Sequence, residues 1–287
     1  MQAGIRFKLS LMMFLEFFIW GAWFVTMGTY LSSVLSSNGD EISAAYSTQS
    51  LGAIIAPFII GLIADRYFAA QRILGFLHLA GAVLMYLAAQ SDHFAAFFPY
   101  ILVYMILYMP TLALVNSISF RQMKDPSGEF AVIRMWGTVG WIVAGLLIGY
   151  TFQWESKGML QYTFYMASGV SAFLGFFSFL LPDTPPKATS GKKPSLGEIL
   201  GLDALRLLKE KNFLVFFISS ILLCIPLAFY YQNANLFLNN VGMKNAAGNM
   251  TFGQASEVFF MLMLPIFLKR FGLKSTLLFG MAAWAVR

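Results

Sequence analysis

Long apolar stretches alternate with short polar breaks along the chain. The stretches cover residues 9–35, 42–64, 73–90, 94–120, 131–152, 160–181, 213–238 and 252–268, and a ninth begins near Ser275. A run of about 20 apolar residues crosses the hydrocarbon core of a bilayer as a helix. The strict alternation of a membrane barrel is absent. The pattern predicts an all-α polytopic membrane protein. Composition agrees: 59% of residues are hydrophobic and 11% charged, against roughly 25% charged in a soluble domain.

The longest polar break separates the sixth and seventh stretches. It opens with "PDTPPKATSGKKPS", a flexible Pro/Ser/Lys-rich linker, and closes with "LGEILGLDALRLLKE", an amphipathic helix suited to a membrane face. This divides the chain into a six-helix bundle (1–182), a cytoplasmic linker (183–212) and a partial second bundle (213–287) of two spans and the start of a third. A weak repeat supports the division. "GLIADRYFAAQRILGF" follows the second span and "IFLKRFGLKSTLLFG" follows the eighth, each a basic turn between two spans. Parallel six-helix halves are a transporter architecture. Twelve spans would need roughly 400 residues, so the 287 residues are expected to be a fragment or a truncated gene product.

Charge sets the expected orientation. Arg6, Lys8, Arg66, Arg72, Arg121, Lys124, the linker lysines and Lys269, Arg270 and Lys274 fall on one side; only Lys157 and Lys244 fall in loops on the other. Positive charge marks the cytoplasmic side, which puts the N-terminus there. The same bias accounts for the net charge of +6 without a nucleic-acid partner.

Only two of the thirteen acids, Glu16 and Glu257, lie well inside apolar stretches. A charge at the bilayer centre costs about 2.5–3.5 kcal/mol on insertion scales, so such residues are functional candidates. Gln254 and Glu257 share a helix face; the blander reading puts Glu257 at the lipid headgroups. Glu16 shares its face with Trp20 and Trp23, and is either a proton carrier or a neutral acid bonded to a neighbouring helix. In "VIRMWGTVGW", Arg134, Thr138 and Trp141 fall on one face, offering fixed donors and an aromatic plane. An interfacial arginine beside a glycine-rich packing face is the alternative. In "AFYYQNANLFLNN", Tyr230, Tyr231, Gln232, Asn233 and Asn235 line a cavity or mark the outer surface. His78 reads as a packing residue with its hydrogen bonds satisfied; a proton relay is the alternative. Cys224, the one cysteine, can form no disulfide within the chain. No spacing suggests a metal or cofactor, and no nucleophile–base pair suggests an enzyme.

Several of these stretches resemble a known family. "GLIADR" is similar to the signature loop of the major facilitator superfamily, although "YFAAQR" departs from its usual continuation. "FFIWGAWFVTMGTYL", "YMPTLALVNSISF", "IRMWGTVGW", "ILGLDALRLLKEK" and "ASEVFFMLMLPIFLKRFGLK" together resemble the bacterial nucleoside–proton symporters. The resemblance implies a major facilitator fold with a complete first half and an incomplete second. It implies nucleoside contacts from Arg134, Thr138, Trp141, Gln254 and Glu257. On the seventh span the family's glutamine and asparagine have the spacing of Gln232 and Asn235, whereas alignment on the flanking motifs places Ala228 and Tyr231 there. Glu16 and Glu257 are the proton-coupling candidates. The expectation is a monomeric, proton-coupled nucleoside importer of the bacterial inner membrane. A symporter for another neutral polar solute such as a sugar, or a receptor that binds without transport, remains the alternative.

Overall fold

The computed structural model describes residues 2–59, 68–186 and 202–286. Its helices are α1 (Ala3–Trp23), α2 (Met27–Ser33), α3 (Gly39–Ile59), α4 (Ala70–Ala89), α5 (Phe94–Gln122), α6 (Pro126–Leu146), α7 (Gln161–Ser178), α8 (Lys211–Asn240) and α9 (Ala246–Val286). No strand occurs among the described residues. The "GLIADR" loop and most of the linker lie outside them. So does the start of the expected amphipathic helix; what is described of it is a short 3-10 turn at Leu202–Lys209.

Among the described residues, six segments, including α1 with α2, α4, α5, α8 and α9, are long and apolar enough to cross a membrane. α3 and α7 fall outside that set. α3 carries Ser43, Ser47, Gln49 and Ser50 toward the interior of the molecule, which lowers its apolar content.

The first expected span is two helices, broken between Trp23 and Met27. A break inside a membrane strands backbone polar groups that must find protein partners. Tyr46 of α3 supplies them: its hydroxyl donates to the Phe24 carbonyl at 3.0 Å and accepts from the Gly28 amide at 3.1 Å. The eighth and ninth expected spans form one element, α9, interrupted at Gly272 (φ 75°, ψ 171°). Only glycine adopts that conformation readily. α6 ends in a π turn, Leu147–Thr151.

α1 packs along α6 and α7, α4 along α5 and α7, and α3 along α5. Small residues set the spacing. A Cβ at Gly140 would collide with the Phe14 carbonyl, so α6 lies directly on the backbone of α1. α9 packs against α6 and its π turn, where Gly149 meets Gly248 backbone to backbone. α8 touches α2. Polar side chains also join these elements. Glu155, in the α6–α7 loop, accepts from Asn235 Nδ2 at 2.8 Å, from Asn239 Nδ2 at 3.2 Å and from the Ala247 amide at 2.8 Å. Thr29 Oγ1 donates to Asn235 Oδ1 at 2.6 Å. These bonds close the α8–α9 end of the molecule, whereas α8 from Lys211 to Cys224 lacks buried residues.

Glu155→Ala should loosen that closure. A carboxylate bond is worth about 1.5–3 kcal/mol, so losing even one should raise the labelling rate of a cysteine at Ala247 at least about tenfold, measured with Cys224 replaced by serine. An unchanged rate would show that the closure stands without Glu155.

Candidate functional site

Five helices enclose a cavity of about 540 Å³. α1 contributes Phe17, Trp20 and Phe24; α3 contributes Ser43, Tyr46, Ser47, Gln49 and Ser50; α6 contributes Arg134, Thr138 and Trp141. α8 adds Cys224, Leu227, Ala228, Tyr231 and Gln232, and α9 adds Gln254 and Glu257. The volume falls within the range of small-molecule sites, roughly 300–1,000 Å³.

The 3.6-residue period places Arg134, Thr138 and Trp141 one above another on α6. Arg134 extends across α1, its guanidinium carbon 3.9 Å from the centre of the Phe17 ring. Gly137 leaves the room for this, since a Cβ there would lie 2.8 Å from Arg134 Nη1. Nη1 is buried and has no hydrogen-bond partner among the described residues. Thr138 is buried, with Met261 Sδ 3.6 Å from its hydroxyl. Trp141 stands edge-on to Trp20, with centroids 5.7 Å apart, and to Tyr231 at 5.9 Å. The three rings form an aromatic wall. The Trp20 indole Nε1 is the second buried donor of the cavity without a partner among the described residues.

Opposite stand the polar groups of α9. Gln254 and Glu257 both line the cavity, so Glu257 does not merely face headgroups. Arg134 and Glu257 are close enough for their charges to interact. The cavity thus joins a flat aromatic surface to a guanidinium, a carboxylate and three amides. Such a set suits a neutral solute with a planar ring and several hydroxyls.

One expectation for the seventh span is overturned. Asn235 does not line the cavity: it is buried in the closure with Thr29 and Glu155. Its neighbours Ala228, Tyr231 and Gln232 do line it, and the Gln232 amide donates to Ser43 at 2.9 Å. Of the two registers considered for this span, that of Ala228 and Tyr231 faces the cavity. His78 is buried and satisfied, its ring meeting Glu16 at 2.8 Å and Ser171 at 3.1 Å. Glu16 itself lies behind the cavity wall, bonded also to Thr111. The α3 residues were not anticipated, since small polar side chains scattered in an apolar helix carry no distinctive spacing. Tyr230 and Asn233 do not line the cavity; Asn233 bonds the Phe229 carbonyl of its own helix.

A central cavity of this kind between two helical groups, in this fold, defines a membrane transporter of the major facilitator superfamily. Residues 3–287 match the nucleoside H+ symporter family. YegT of Escherichia coli (strain K12) is 52% identical over 283 residues, covering 98% of this chain and 66% of YegT. The nucleoside permease NupG of the same organism is 33% identical over 298 residues, covering 99% of this chain and 70% of NupG. A crystal structure of a mutant of the nucleoside transporter NupG superposes with a TM-score of 0.85 at 32% identity, covering 98% of this chain and 72% of the other. The chain belongs to the nucleoside H+ symporter family. It spans about two thirds of the length of these relatives.

Proposed function

We propose that this protein imports nucleosides together with protons by alternating access. One observation carries the reading: the cavity sets an aromatic wall of Trp20, Trp141 and Tyr231 beside two buried, unpartnered donors and the carboxylate of Glu257. A base is flat and a ribose is rich in hydroxyls, so the solute stacks on the wall and bonds across it to Arg134, Thr138, Gln232, Gln254 and Glu257. A nucleoside has no phosphate, and the single guanidinium serves as a directional donor rather than as part of an anion cradle. Glu16 and Glu257 are the groups of this chain offered for the proton. The protein works as a monomer in the bacterial inner membrane, with N-terminus and linker cytoplasmic. Residues 1–182 form one rocking unit and the helices after residue 212 belong to the other. With the α8–α9 end closed, the cavity belongs to the inward-facing state.

The test is uptake of radiolabelled uridine into proteoliposomes with and without an inward proton gradient. The expected result is saturable, gradient-driven accumulation. Competition by a sugar but not by a nucleoside would replace the substrate class; saturable binding without uptake would make the protein a receptor. Cys224 gives an independent readout, because it is the one cysteine and lines the cavity. Uridine should slow its alkylation by a maleimide.

Orientation has its own check. With Cys224 replaced by serine, a cysteine at Lys244 should react with an impermeant maleimide in intact cells, and one at Lys192 should not. Outside labelling of position 192 would reverse the topology.

A further inference from the structure

Glu16 is fully buried, at 0% exposure, and His78 is at 1%. They come from α1 and α4. His78 Nε2 lies 2.8 Å from Glu16 Oε2. Thr111 Oγ1 of α5 lies 2.6 Å from Glu16 Oε1. Beyond the imidazole, Nδ1 lies 3.1 Å from Ser171 Oγ of α7. Tyr108 of α5 donates to the Glu16 backbone carbonyl at 2.7 Å, and its ring stands edge-on to the imidazole.

Counting hydrogens shows what this cluster holds. A hydroxyl carries one proton, and a carbonyl can only accept. Ser171 Oγ lies 2.9 Å from the His78 carbonyl, so its proton goes there. The Nδ1 contact then requires Nδ1–H donating to Ser171. With Nδ1 protonated, the Nε2–Oε2 contact needs a proton of its own, on the ring as imidazolium or on Glu16 as carboxylic acid. Two bare acceptors at that distance would repel. Thr111 also has one proton and two acceptors, since the Tyr108 carbonyl lies 2.5 Å from its oxygen. When Thr111 donates to that carbonyl, a further proton on Oε1 completes the bond to Thr111. The cluster therefore accommodates one proton, or a second, with every heavy atom in place.

The surroundings tie it to the cavity. Trp20, one turn after Glu16, lines the cavity and packs edge-on against Tyr108 at 5.9 Å and against Trp141 at 5.7 Å. A solute pressed on Trp141 bears on Trp20, and through Tyr108 on the Glu16 carbonyl. The groups facing the pair are Tyr104 and Tyr108 from α5 and Ser171 from α7; from α6 Arg134 acts on Tyr108. Neither residue of the pair lines the cavity.

We infer that Glu16 and His78 form a proton-binding site of the transport cycle, a carboxyl–imidazole pair that takes up one proton and returns it while the cavity holds the solute. This deepens the transport reading and rests on it. Two measurements keep the inferences separable. In the first, infrared difference spectra of the purified protein are recorded as pH is varied. Carboxyl and imidazole signals should titrate together; Glu16→Gln should abolish the carboxyl signal and shift the imidazole one, and His78→Gln should do the reverse. Spectra unchanged by both substitutions overturn the site. In the second, proteoliposomes are assayed for uridine exchange without a gradient and for gradient-driven accumulation. Both variants should keep exchange, which also reports that they fold, and lose accumulation down to the equilibrium level. Wild-type accumulation in both variants overturns the role in the cycle. A wild-type protein that moves no uridine sinks the transport reading instead, and the infrared titration still decides whether the pair binds the proton.

Discussion

Replacing Trp141 by alanine is expected to weaken uridine binding roughly 5- to 150-fold. Stacking of a base on an aromatic side chain is worth about 1–3 kcal/mol by alanine substitution, and each ~1.4 kcal/mol is a factor of ten. Trp141 lines the cavity and is held at both edges, by Trp20 and Tyr231. Its ring also rests on Gly21, where a Cβ would come within 3.0 Å of it. The plane is therefore fixed before solute arrives, and little ordering entropy remains to be lost on binding. Trp141→Phe keeps a smaller plane and should be milder. Gly21→Ala should tilt the indole and lower affinity with no change in the lining residues. Equilibrium binding of labelled uridine measures all three. Equal losses for alanine and phenylalanine, or none for either, would show that the ring supports the wall without stacking on the base.

What was legible in the sequence is what depends on one helix at a time. Arg134, Thr138 and Trp141 recur at helical spacing, and so do Gln254 and Glu257, so their shared faces followed from period alone. Most spans followed from apolar length, although the first is two helices and the eighth and ninth are one element. What was not legible depends on two helices meeting. Gln232 and Asn235 have favourable spacing, but the face of α8 that meets Glu155 and Thr29 is set by the α6–α7 loop and by α2, and that contact takes Asn235 out of the cavity. The hydrogen-bond partner of His78 could not be named because it lies 62 residues away on another helix. The break between α1 and α2 was hidden inside an apolar run. It is made tolerable by the hydroxyl of Tyr46, a residue of α3.

Glu257→Gln is expected to cut uridine affinity roughly 5- to 30-fold. A hydrogen bond to a charged group contributes about 1.5–3 kcal/mol against about 0.5–1.5 for a neutral one, and glutamine keeps the shape while losing the charge. Glu257 reaches the cavity beside Gln254, and its charge interacts with that of Arg134. The variant therefore removes a charged acceptor for ribose hydroxyls. The pH dependence has a definite sign. A carboxylate accepts from hydroxyls with both oxygens, whereas a carboxylic acid has given one of them a proton to place. Wild-type affinity should hold above the pH at which Glu257 protonates and decline as pH falls through it; the glutamine variant should bind weakly at every pH, with a flat profile. A proton carried at Glu257 would thus compete with the solute it is meant to accompany. A proton carried at Glu16 and His78, behind the wall, would not. At saturating uridine Glu257→Gln should therefore still accumulate solute along a proton gradient. Normal affinity in this variant would remove Glu257 from the solute site. Weak affinity together with lost accumulation at saturation would return the coupling proton to Glu257.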